Sequence, residues 1–219
     1  MNRRLDSHIF WGRYSPLSVL TGAGLIVMAS GRFAHALVCA GALVWVYGLT
    51  TLVFCASKPI MPSRGKRVIL LFLSSFLCGI FMLLTSLLNP LLILATAFFL
   101  ILIPPFCLGT GFFEALGSED IIEVVFRALL EAVTLAGLIL AFALVREPLG
   151  IGTISIPGGI QGIRELYNGQ EADNYIPVRI FSVSSGGLLL LGYGTALYRY
   201  FRELNGQNPR HSNRAEDEE

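Results

Sequence analysis

The residue with the most distinctive chemistry is a thiol in an awkward place. Cys107 lies in IPPFCLGTGFFEALGSED, two residues after the Pro104-Pro105 pair and just ahead of Gly109 and Gly111. Thiolate sulfur is the natural ligand of iron–sulfur clusters, so a cysteine held beside two helix breakers is a candidate metal and cofactor ligand. Cys39, Cys55 and Cys78 fall in other apolar runs with no CxxC or other metal spacing. They read as small buried residues, and their irregular placement gives no disulfide framework. Glu123, Arg127 and Glu131 recur every four residues, which places them on one helical stripe where they can pair. Inside a membrane such a stripe is either an ion path or subunit contact, or a salt-bridged stripe snorkelling at one helix end. His8 and His211 lie in the tails and His35 near the start of an apolar run. No Ser–His–Asp or His–carboxylate set can be assembled, so the chain has no complete catalytic site of its own.

What must position these residues is a set of membrane spans. The 219 residues are 54% hydrophobic and only 14% charged, where a water-soluble domain carries about a quarter charged residues. The net charge of +1 leaves no bulk basic surface for nucleic acid. Crossing roughly 30 Å of hydrocarbon takes about 20 apolar residues, and six stretches qualify, near 15–30, 33–57, 68–88, 90–115, 124–145 and 177–201. Residues 1–204 form one polytopic membrane domain, all-α by expectation, and 205–219 form a polar, disordered tail. The first stretch is short. Arg3 and Arg4, an apolar run and then Ala29-Ser30-Gly31 resemble a signal peptide, while Pro16, Gly22 and Gly24 suit a broken intramembrane segment.

Basic residues in short loops set the orientation. Arg3, Arg4 and Arg13 precede the first span, Lys58, Arg64, Lys66 and Arg67 separate the second from the third, and Arg199 and Arg202 close the last. With six spans these segments share one side, which places both termini in the cytoplasm and the chain in the cell (inner) membrane, in contact with lipid. The loop 146–176 then faces outward. Its glycines lack the Lys-Ser/Thr of a phosphate loop and follow no strand, so it reads as a folded cap.

Pro16-Leu-Ser-Val-Leu-Thr21-Gly22 and Pro105-Phe-Cys-Leu-Gly-Thr110-Gly111 share one spacing. A duplicated three-span unit would show such a pair, and because three is odd the second copy would be inverted. Proline removes a backbone donor, and a freed carbonyl in hydrocarbon costs several kcal/mol unless protein or a cavity satisfies it. A broken helix is therefore kept where its exposed backbone binds something; the plain alternative is a proline kink that aids packing. The expected fold is an inverted three-plus-three repeat with half-helices in spans one and four.

Cys107, with Gly111 four, Glu114 seven and Ser118 eleven residues later, resembles the Rnf/Nqr family of small six-span membrane subunits. REPLGIGTI after span five and SSGGLLLLGYGTAL in span six are similar to that family's corresponding regions. Gly152-Thr153 after Arg146-Glu147, with a cytoplasmic N-terminus, resembles the RnfE/NqrD branch. The resemblance implies ion-coupled electron transfer within a larger complex. It implies a partner, a sister six-span subunit of opposite topology, and a [2Fe–2S] cluster between the two, each supplying two cysteines from broken half-helices. Cys107 matches one of those cysteines. Flavin and nicotinamide would be bound by other subunits.

The other cysteine of the family precedes a proline in the first half-helix, and Ser15 stands there; the repeat-equivalent of Cys107 is Ser18. Serine is a poor substitute for a thiolate on iron. Three readings stay open: an electron-transferring subunit using Cys107, a redox-silent scaffold in the same complex, and a stand-alone secondary transporter with a broken-helix site. Sodium or proton coupling, and the electron donor and acceptor, are not encoded in these motifs.

Overall fold

The computed structural model describes residues 16–57, 65–109, 121–159, 162–169 and 178–204. Ser15, Gly111, Glu114, Ser118, the N-terminal arginines and the tail beyond Leu204 lie outside these described residues, as does the side chain of Ser18. Seven α-helices and one β-hairpin are described: α1 (Pro16–Ala29), α2 (Phe33–Ser57), α3 (Lys66–Leu88), α4 (Pro90–Ile101), α5 (Ile103–Gly109), α6 (Ile121–Gly150), β1 (Thr153–Pro157), β2 (Ile163–Asn168) and α7 (Ser184–Leu204).

Helix α2 is the central post. Twelve of its residues are buried, from Ala34 to Phe54, because α6, α3, α4 and α5 all pack against it, and Leu37, Gly41 and Leu52 mark the stripe left exposed. The outer surfaces are equally apolar. Phe72, Phe76, Leu87, Leu94, Phe98, Phe126 and Val133 are all more than half exposed, a belt that no soluble monomer presents to water and that a bilayer accepts. Four segments are long and apolar enough to cross a membrane: Phe33–Ser57, Lys66–Leu88, Pro90–Cys107 and Val124–Gly150. This is a mostly helical, multi-pass membrane protein.

The two remaining helices differ from the spans expected of them. α1 has 14 residues, about 21 Å at 1.5 Å per residue, too short to span alone. α7 starts at Ser184, after a 3₁₀ turn at Arg179–Phe181, and carries Arg199, Arg202 and Glu203 in its last turns; its low apolarity keeps it below the threshold that the other four meet.

The chain turns sharply where the sequence supplies caps. Asn89 serves two helices: its N–H donates to Thr85 O (2.8 Å), closing α3, and its Oδ1 accepts from Leu92 N–H (3.0 Å), opening α4. Pro90 follows at the first helical position, where a missing N–H costs nothing. Gly65, at φ 89°, lets the chain enter α3 in a left-handed conformation that a β-carbon would resist.

Residues expected to begin the outer loop instead continue α6, which runs to Gly150 through Arg146, Glu147 and Pro148. Beyond it, Thr153–Pro157 and Ile163–Asn168 pair as an antiparallel hairpin with a bulge between Ile154 and Ser155. The hairpin lies across one end of the bundle. Asn89 Nδ2 donates to Gly162 O (2.7 Å), and Ala34 N–H donates to Ser155 Oγ (3.4 Å). The ends of α1, α3 and α6 and the starts of α2, α4 and α7 thus meet at this capped end, and successive long helices run in opposite directions.

Candidate functional site

Two proline-led helices meet in the core. α5 continues α4 after a break at Leu102, and it packs against α1, α2 and α3. Gly22 of α1 faces the Phe106 ring, so closely that a β-carbon there would stand 3.1 Å from Cε2. The segments singled out for their shared Pro…Thr-Gly spacing are therefore brought into contact, at Gly22 of the first and Phe106 of the second. Pro104 is buried and Pro105 half-buried within α5. Pro16 is the first residue of α1 and Gly109 the last of α5.

Cys107 is 1% exposed. Its thiol shares a side-chain hydrogen bond with Tyr47 of α2, which is itself fully buried, and Cys78 of α3 and Glu131 of α6 lie within electrostatic reach. Cys39 and Cys78 are also electrostatic neighbours, so three of the four thiols surround one side of α2; Cys55 stands apart, half-buried toward the far end of that helix. Thr50, one turn on from Tyr47, is fully buried with its Oγ1 unpartnered. Of the stripe, Glu123 lies in the first turn of α6, Arg127 is exposed, and the half-buried Glu131 lies within electrostatic reach of the thiol.

No protein-family model and no curated protein matches the sequence.

The residues present do not fit a cluster shared across a subunit boundary. Such a ligand must stand at the surface that meets the partner, whereas the Cys107 sulfur is enclosed by helices of its own chain and engaged by Tyr47. Position 15, where a second thiol would be needed, is serine. Among the described residues no three His, Cys, Asp or Glu side chains gather closely enough to hold a metal.

A second polar centre, placed in a loop by sequence reasoning, sits at the capped end. Arg146 is 2% exposed and all five of its N–H donors are used. Nε donates to Phe181 O (2.8 Å); Nη1 donates to Val27 O and to Ser30 Oγ (2.9 Å); Nη2 donates to Ser182 O (3.2 Å) and Val183 O (3.1 Å). The cation thereby joins the C-terminal end of α1 to the turn before α7, and a positive charge at a helix C-terminus is favoured by the helix dipole. Glu147, equally buried, does the reverse. It accepts the Phe33 N–H at the start of α2 (2.6 Å) and the Thr153 hydroxyl (3.4 Å), a negative charge at a helix N-terminus. Arg146 and Glu147 are thus a structural knot that fixes the turn between α1 and α2. The signal that could have found it is an Arg-Glu pair abutting an apolar run: charges there must be either solvated or fully paired.

An apolar crevice of about 640 Å³ lies beside the half-helices. Gly22, Phe106, Leu135, Phe142, Leu191 and Tyr198 are among the residues lining it.

Proposed function

We propose that this chain is a membrane subunit of an Rnf/Nqr-type, ion-translocating electron-transport complex, packed beside a sister six-span subunit of opposite topology. In this reading the fold is an inverted three-plus-three repeat, with α1 and α5 as its paired half-helices. Both termini face the cytoplasm of a cell inner membrane and the hairpin faces outward. The observation that supports it is the meeting of two short proline-led helices, α1 and α5, against a central spanning helix, with a cysteine at the junction. A broken helix in hydrocarbon needs compensation for its freed backbone groups, and here the compensation comes from neighbouring helices of the same chain.

Of the readings open at the sequence level, the enclosed thiol and Ser15 favour a subunit that supports the complex without carrying a redox centre. The stand-alone transporter is less well supported. The crevice beside the half-helices is apolar on almost every side, which offers a hydrophilic solute few partners.

The test is to purify the chain by an affinity tag from its own membranes in mild detergent, then assay flavin, iron and ion uptake after reconstitution. Co-purification with flavin- and iron-bearing subunits, and redox-driven ion uptake that is lost when the chain is deleted, is the expected result. A chain that purifies alone, folded, and moves a solute by itself would overturn the proposal.

A further inference from the structure

The break between α4 and α5 has a defined hydrogen-bond deficit. In a continuous helix the Leu100 carbonyl accepts the N–H of residue 104 and the Ile101 carbonyl that of residue 105. Both positions are proline and neither has an N–H to give. Around the gap the ladder resumes on each side: Leu102 N–H donates to Phe99 O (3.1 Å), sharing with Leu100 O, and Phe106 N–H donates to Leu102 O (3.1 Å). Ile101 is 62% exposed on the outer surface of the bundle, whereas Leu100 is fully buried against other helices, so the Leu100 carbonyl is the one that a neighbouring helix can serve. Cys78, buried on α3, donates its thiol to that oxygen at 3.3 Å. A helical cysteine can turn its S–H back on its own preceding turn, as the neighbouring Ser74 does with its hydroxyl toward Leu71 O; Cys78 reaches across to α4 instead.

We propose that Cys78 is the latch of a hinge at Leu102: its thiol supplies the donor that Pro104 removes from the Leu100 carbonyl, and so fixes the direction of half-helix α5 and keeps Cys107 enclosed. This is a conformational role carried by one thiol toward another segment, and it holds whether or not the chain serves an electron-transport complex. Without the latch the carbonyl keeps only a share of the Leu102 N–H, which also donates to Phe99 O, and α5 loses the contact that fixes its direction. Opening of α5 exposes Cys107.

The test reads that opening through N-ethylmaleimide labelling of Cys107, quantified by peptide mass spectrometry on the full chain in detergent, together with whatever subunits accompany it. Cys78→Ala should label Cys107 roughly tenfold faster than wild type, the scale of one lost hydrogen bond, while Cys78→Ser, which keeps a donor, should label near the wild-type rate. Cys78→Ala/Pro104→Ala returns a backbone N–H to the Leu100 carbonyl and should restore slow labelling. Equal rates for wild type and a folded Cys78→Ala would overturn the latch. So would equal acceleration in the Ala and Ser variants, or a double variant as fast as Cys78→Ala, because a packing role would give either pattern. If Cys78→Ala does not fold, recovery of folded protein in both Cys78→Ser and the double variant supports the latch; failure of the double variant counts against it.

Discussion

Arg146 illustrates how one side chain can settle the arrangement of several helix ends. Its five N–H groups meet five oxygens drawn from α1, the α1–α2 turn and the segment leading into α7. Lysine offers three donors from a single point and cannot match that fork. Arg146→Lys therefore gives up at least two of these five hydrogen bonds, at about 0.5–1.5 kcal/mol each. A clear fall in the detergent-solubilised unfolding temperature is expected, with Arg146→Ala falling further; a lysine variant as stable as wild type would show the fork to be unimportant. Cys78 and Cys107 belong to the same scale. In the sequence Cys78 reads as a small buried residue and Cys107 as a candidate cluster ligand at a helix break, but the partners of neither were legible. A hydrogen bond from one helix to a carbonyl orphaned by a proline 26 residues away depends on how α3 and α4 pack, and no local pattern records that packing.

At the scale of the elements, glycines separate into those that packing requires and those it ignores. A β-carbon on Gly186 would overlap the Ile180 carbonyl oxygen, and one on Gly187 would stand 2.8 Å from the Arg146 guanidinium carbon. Gly192 and Gly194, further along the same helix, have nothing within 4 Å. Gly186→Ala should destabilise the chain by about 3 kcal/mol or more, since backbone would have to move. Gly192→Ala should leave the unfolding midpoint within about 0.5 kcal/mol of wild type or raise it slightly, as a helix-interior glycine replaced by alanine gains propensity. Comparing the two variants by thermal unfolding checks the assignment of α7 as a helix docked through its first turn, and equal effects would contradict it. The long apolar helices were legible in the sequence because each exceeds a bilayer's width, and Asn89-Pro90 between two of them marks a cap. The extension of α6 through Arg146 and Glu147 was not legible. Charge next to an apolar run ordinarily signals water, and only the converging helix ends make burial tolerable. The hairpin escaped as well, since Thr153, Ser155 and the bulge beyond Ile154 break simple alternation.

For the whole molecule, the common thread is a central helix and its long neighbours holding elements too short, too kinked or too polar to be stable alone. α1 is short of a bilayer's width, α5 has seven residues, and α7 is bound mainly through its first turn. Each is held by the knot at Arg146 and Glu147, by the contact of Gly22 with Phe106, or by the thiol of Cys78. Such a design suits a subunit whose outer helices are completed by neighbours in the membrane. The most direct measurement is the reduced-state EPR spectrum and iron content of the assembly purified through this chain, for wild type and Cys107→Ser side by side. An iron-bearing assembly whose spectrum, iron content and subunit composition are unchanged by the substitution is the expected outcome. Loss of a [2Fe–2S] signal in Cys107→Ser would place a cluster on this chain and contradict the redox-silent role, and a chain that carries no partners at all would contradict membership of the complex.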